Sequence, residues 1–170
     1  MKWTAYKTTA RIPVSGTFKQ IEWKNLQQAS SPVECVKNLY FKINTSSIFT
    51  DNPERDKTLY EYLFGQMLEG NFIEGRVAEV DKKNHRIRTV IRMNGLEKSL
   101  EFPYQMNDSV MHASVNIDLE KDFMAGEALY FLHTACKDKH TGEDGISKTW
   151  PDVKLETEIH FSQIENQHAK

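Results

Sequence analysis

The sequence predicts a mainly β fold: one domain spanning 1–170, built on eight antiparallel strands with two short helices. Three observations predict it. Apolar residues recur at every second position over long stretches, which is the strand period. Turn residues fall between these runs, Asn94-Gly95 being the plainest hairpin signal. Only two stretches switch to helical spacing.

The second half of the chain carries the clearest strands. In Arg86–Met93, Ile87, Thr89, Ile91 and Met93 share a face opposite Arg86, Arg88 and Arg92. In Glu97–Met106, Leu100, Phe102, Tyr104 and Met106 oppose Glu97, Ser99 and Glu101, and Asn107-Asp108 makes the next turn. Met111, Ala113, Val115 and Ile117 follow with His112, Ser114 and Asn116 between them. The last strand alternates Val153, Leu155, Thr157, Ile159 and Phe161 with Lys154, Glu156, Glu158 and His160. The four others are Lys2–Thr9, Ile12–Trp23, Val36–Asn44 and Asn71–Val80. Gly16 and Gly75 interrupt two of them, as bulges or bends that help a sheet curl. A sheet with one apolar face must cover it by closing into a barrel or folding into a sandwich. A barrel of this size is filled by its side chains or holds one small ligand.

The first helix is expected over Pro53–Phe64, capped by Asn52 with proline at its first position, and stopped by Gly65. The second is expected over Phe123–Lys137, where Ala128, Leu129, Leu132, Ala135 and Cys136 share a face. The Gly-containing stretch Lys139–Lys148 is expected to be a mobile loop.

Composition narrows the function. A mass of 19.7 kDa with 39% hydrophobic residues is enough for a self-sufficient core. The 22 Lys and Arg against 24 Asp and Glu leave a net charge of −2, which argues against a nucleic-acid partner. No stretch is apolar for long enough to make an integral membrane helix. No nucleophile elbow, P-loop, dinucleotide-binding glycine pattern or zinc-protease motif occurs. Asp138–Asp144 lacks the ligand spacing of a calcium loop. Cys136 and His140 offer two metal donors where four, or three and a water, are wanted. No catalytic residues, metal or cofactor are assigned. Cys35 and Cys136 are either two free thiols or one bridge closing a long loop. The histidines His112 and His160 fall on polar strand faces, and the others (His85, His133, His140, His168) are scattered.

Three stretches in order resemble the YceI-like family. Trp3-Thr4-Ala5-Tyr6-Lys7 with Val14-Ser15-Gly16-Thr17-Phe18 resembles its opening hairpin. Thr50-Asp51-Asn52-Pro53-Glu54-Arg55-Asp56 with Leu59 resembles its threonine-to-arginine-aspartate entry into a helix. Ser147-Lys148-Thr149-Trp150-Pro151-Asp152-Val153 resembles the entry to its last strand. The family's usual tryptophan–histidine–serine opening is absent, with Trp3-Thr4-Ala5 in its place. The resemblance implies a lipocalin-like extended antiparallel barrel that holds a polyisoprenoid, quinone or other lipid without covalent chemistry. It implies a periplasmic or secreted protein whose leader has been removed, the alternative being cytoplasmic. A homodimer is left open.

For a long apolar guest, the inward candidates are Trp3, Phe18, Ile91, Met93, Leu100 and Phe102, with Met111, Val115, Leu155 and Ile159. Each methylene taken from water is worth about 0.8 kcal/mol, and Met side chains adapt to a flexible chain. The same residues serve equally as core filler. The two helices are expected to cap the barrel, with Leu63, Phe64, Leu129 and Leu132 at a mouth. Lys7 and Arg55 are candidates for a polar or phosphate head group, or for a plain structural ion pair. Trp150 belongs to the mouth or the core. The rival functions are an enzyme acting on a small hydrophobic substrate in the same cavity, and an interaction module with a filled core.

Overall fold

The computed structural model describes residues 1–29 and 31–162. His168 lies outside the described residues. Among the described residues, ten strand segments form one antiparallel sheet. They are β1 (Lys2–Lys7), β2 (Ile12–Phe18), β3 (Ile21–Lys24), β4 (Tyr40–Asn44), β5 (Ile48–Phe49), β6 (Phe72–Asp81), β7 (Arg86–Met93), β8 (Leu96–Asn107), β9 (Val110–Asp118) and β10 (Thr149–His160). Their spatial order is β3-β4-β6-β7-β8-β9-β10-β1-β2-β5.

The two ends of that order belong to the same runs of chain. β2 and β3 are one strand interrupted at Lys19 and Gln20, and β4 and β5 are one strand interrupted by the tight turn Thr45–Ser47. β2 pairs with β5 through Thr17 and Phe49, and β3 pairs with β4 from Ile21–Ile43 to Lys24–Tyr40. Lys19 N–H to Ser47 C=O (2.9 Å) and Asn44 N–H to Gln20 C=O (3.1 Å) carry the pairing past the interruption. The sheet therefore returns on itself, and the ten segments make the eight-stranded barrel that the alternation predicts. A two-sheet sandwich is ruled out.

Alternation decides which side of each strand faces the axis. Ile87, Thr89, Ile91 and Met93 of β7 are all buried, as are Leu100, Phe102 and Tyr104 of β8. Their outward neighbours pair across the strands, Arg86 with Glu101 and Arg88 with Glu79. Such exposed pairs contribute little to stability. Asn94 and Gly95 both take positive φ (52° and 71°), as a two-residue hairpin turn of this hand requires.

Several expectations need correction. Gly16 and Gly75 sit in regular register and form no bulge. The irregularities fall between Ala5 and Lys7 and between Val77 and Glu79. Val36 precedes its strand instead of opening it, because a short helix, α1 (Pro32–Cys35), occupies the approach. α2 covers Pro53–Tyr62, with Phe64–Gln66 continuing as a tight turn. The helix expected over Phe123–Lys137 is two, α3 (Leu119–Phe123) and α4 (Gly126–Ala135). Met124 adopts a left-handed conformation (φ 51°) that ends the first, and the Asp118 carboxylate caps its start. The segment 139–148 is fastened, not loose. Thr141 bridges Ser147, Thr8 N–H donates to Lys148 C=O (2.9 Å), and the Thr9 hydroxyl reaches Asp144.

The barrel has two unlike ends. At one, Val33, Val36 and Leu39 close the bore around α1, with Val77, Tyr104 and Met111 packed within. At the other, α2, α3 and α4 gather over the strand ends.

An apolar cavity under the helical cap

The helical end of the barrel encloses a cavity of about 480 Å³. That volume lies within the range of small-molecule sites, roughly 300–1,000 Å³. The strands supply its wall by alternation: Trp3 and Ala5 from β1, Val14 and Phe18 from β2, Ile91 and Met93 from β7, Val153 and Leu155 from β10. The helices supply its roof, with Leu59 and Leu63 from α2 and its C-terminus, Phe64 beyond them, and Leu129 and Leu132 from α4. Phe41, paired with Gly75 and at the level of Ile91, is the deepest lining residue of its strand.

Twelve of the sequence candidates line this cavity: Trp3, Lys7, Phe18, Arg55, Leu63, Phe64, Ile91, Met93, Leu129, Leu132, Trp150 and Leu155. Leu100, Phe102, Met111, Val115 and Ile159 do not. Leu100, Phe102 and Met111 point inward as their period requires, but they lie toward the closed end and fill it. Val115 and Ile159 pack half-buried against that core. Periodicity identifies the face of a strand and is silent on the height along the bore at which filling gives way to space. Among the lining residues missed are Tyr6, Phe41, Ile43, Ile48, Met67, Ile117 and Leu119. Ile117 shares the alternating face of its strand, and that signal was present in the sequence.

The mouth is polar. Lys7, Asn52, Glu54, Arg55, Lys139 and His140 line it, together with Cys136, Thr149 and Trp150. α2 places two of them by a local device. Asn52 accepts a bond from Arg55 N–H (3.0 Å), and Asp56 Oδ1 accepts from Thr50 N–H (2.9 Å) and Thr50 Oγ1 (2.6 Å). The Thr50–Asp56 motif is thus a clamp at a helix start, and it turns Arg55 toward the cavity. Trp150 settles at the mouth, half-buried, its Nε1–H donating to Thr8 C=O (2.7 Å). Arg11 stacks between Trp150 and Tyr6, 4.3 Å and 4.5 Å from their ring centres.

Electrostatics at the mouth favour the cationic groups. Lys139 Nζ meets Glu54 Oε1 at 2.7 Å, which raises the lysine pKa and lowers that of the carboxyl. Lys7 Nζ donates to Lys139 C=O (3.2 Å) and pairs with no carboxylate among the described residues. Burial, then Lys7, then His133 push His140 down to about 4, so it is neutral at pH 7. The Thr149 hydroxyl lies 2.7 Å from its Nδ1 and 3.1 Å from that of His133. Burial pushes the Cys136 thiol up. Both cysteines are free. No group of three or more His, Cys, Asp or Glu suited to a metal occurs among the described residues. No helix among them is long and apolar enough to cross a membrane. In the wall, the Trp3 indole N–H is buried without an acceptor among the described residues.

No protein-family model matches the chain, and no curated protein does. Solved structures do. A polyisoprenoid binding domain from Saccharophagus degradans aligns over 91% of this chain and 88% of its own, with a TM-score of 0.62 at 10% identity. The YceI protein of Campylobacter jejuni aligns over 88% and 86%, with a TM-score of 0.54 at 17% identity. This chain carries the YceI-like fold. BcnA from Burkholderia cenocepacia shares it too, over 92% and 93%, with a TM-score of 0.57 at 10% identity. In this YceI-like barrel the described cavity lies at the helical end, while buried Val33, Val36 and Leu39 pack around α1 at the other.

Proposed function

We propose that this YceI-like barrel binds a single long apolar molecule in its cavity and shields it from water, without covalent chemistry. The observation that carries this reading is the cavity itself: about 480 Å³, walled by aliphatic and aromatic side chains, with polar groups gathered at the mouth. Its apolar wall rewards burial of a chain at about 25 cal/mol per Å² of surface. The polyisoprenoid binding domain from Saccharophagus degradans, built on the same fold, supports an isoprenoid or similar lipid as the guest.

A nucleophilic enzyme in the same cavity is the weaker reading. Cys136 is the candidate nucleophile, and burial raises its thiol pKa where activation needs it lowered. Sequestration or carriage fits the site better, and an extracytoplasmic location suits such carriage.

Native mass spectrometry of the purified protein, followed by solvent extraction, tests the reading. A co-purifying lipid, or displacement of an apolar fluorescent probe by long-chain alcohols, is the expected result. A barrel that stays empty and binds no apolar probe refutes it.

A further inference from the structure

We propose that the cavity mouth is an anion site, so that the guest is a single-chain amphiphile with a carboxylate or phosphate head seated on Arg55 and Lys7. The inference rests on the apolar-guest reading and adds the chemistry of the head. Among the described residues, three cations, Lys7, Arg55 and Lys139, line the same cavity as the apolar wall, against one carboxylate, Glu54. Glu54 is committed to Lys139 at 2.7 Å. Lys7 spends one donor on a carbonyl oxygen and has no carboxylate partner, and the Arg55 guanidinium has no partner among the described residues.

This local excess of positive charge stands in a chain whose net charge is −2. An unpaired, half-buried guanidinium at the end of an apolar bore is a donor fork awaiting an oxyacid. His140, kept neutral chiefly by burial and then by Lys7, adds no charge of its own to the mouth. Glu54 sets the opposing tendency: it competes with an incoming head for Lys139, so the Glu54–Lys139 pair tunes affinity without closing the site. A neutral isoprenoid or alcohol would leave Arg55 and Lys7 as they are and gain only from burial.

The experiment compares palmitic acid, hexadecyl phosphate and hexadecanol by calorimetry at low and high salt. Inorganic phosphate and acetate serve as head-only controls. The acid and the phosphate ester are expected to bind roughly tenfold to a hundredfold tighter than the alcohol, as for charge-assisted hydrogen bonds. Salt should erode the difference. The ratio should collapse in the double variant Arg55→Gln with Lys7→Gln, and Glu54→Gln should tighten the acid. Equal binding of acid and alcohol by the unaltered protein overturns the proposal while sparing the apolar-guest reading. Inorganic phosphate binding as tightly as hexadecyl phosphate overturns it in favour of a free anion. Failure of all three chains to bind refutes both.

Discussion

Trp3 lies against Gly16 across the β1–β2 pair, so close that a Cβ on Gly16 would fall 2.4 Å from the indole Cζ2 and 2.8 Å from the backbone oxygen of Phe49. The glycine is there to let a cavity-wall ring lie flat on the sheet. Gly16→Ala is expected to destabilise the barrel by about 1–3 kcal/mol, the usual cost of overpacking. The backbone oxygen cannot swing aside as a side chain could. A shifted urea midpoint together with changed tryptophan fluorescence checks this; unchanged midpoint and emission would show the ring free to move.

Phe41 repeats the arrangement at the floor. Its ring covers Gly75, where a Cβ would meet Cζ at 2.2 Å, and it packs 5.8 Å from the Trp23 ring centre. Beyond it the bore is filled. Phe41→Ala is expected to cost about 3–5 kcal/mol as a large-to-small core change and to deepen the cavity toward Val77. The variant should then gain affinity for longer alcohols relative to shorter ones. A length preference identical to that of the parent would place the floor elsewhere.

How much of this the sequence discloses depends on the range of the signal. Alternation in residues 86–106 marks Ile87, Ile91, Leu100 and Phe102 as inward, and all four are buried. It treats them alike, although Ile91 borders space and the other three border neighbours. That distinction depends on Phe41 and on α1, both far away in sequence. The break at Met124 is hidden for a different reason. Its left-handed turn lies on a methionine, where glycine or asparagine would have announced it. The 139–148 loop is legible as glycine-rich, but its fastening to Thr8 and Thr9 is a long-range contact.

The Thr50–Asp56 clamp sets the position of α2, which brings Arg55 and Leu59 to the cavity. Asp56→Ala removes the acceptor for two bonds at once. A loss of about 1–3 kcal/mol is expected, with weaker binding of apolar probes because the roof shifts. Asp56→Asn, which keeps one acceptor oxygen, should recover much of both. Equal losses in the two variants would point to the charge instead of the clamp.

Cys136 borders the cavity and Cys35 does not. A bound guest should therefore slow alkylation of Cys136 severalfold while leaving Cys35 as reactive as before. Mass-spectrometric rates at each thiol, with and without saturating hexadecanol, decide the point. Protection of both, or of neither, would mean that the alcohol lodges elsewhere.

His140 makes stability depend on pH in a window set by its environment. Its pKa falls from 6.5 to about 4 through burial, then Lys7, then His133. Above 6.5 the histidine is neutral in the folded and unfolded chains alike, and folding carries no penalty. As pH falls from 6.5 toward 4 the unfolded chain takes up a proton that the folded one refuses, so stability drops with pH across that interval. Below about 4 both forms are protonated and this contribution stops changing. His140→Gln should flatten the slope between pH 6.5 and 4. Lys7→Gln should raise the His140 pKa toward 6.5 in an NMR titration, because one of its causes is gone. An unaltered pKa in Lys7→Gln would mean that burial and His133 set the value and that the Lys7 charge does not reach the ring.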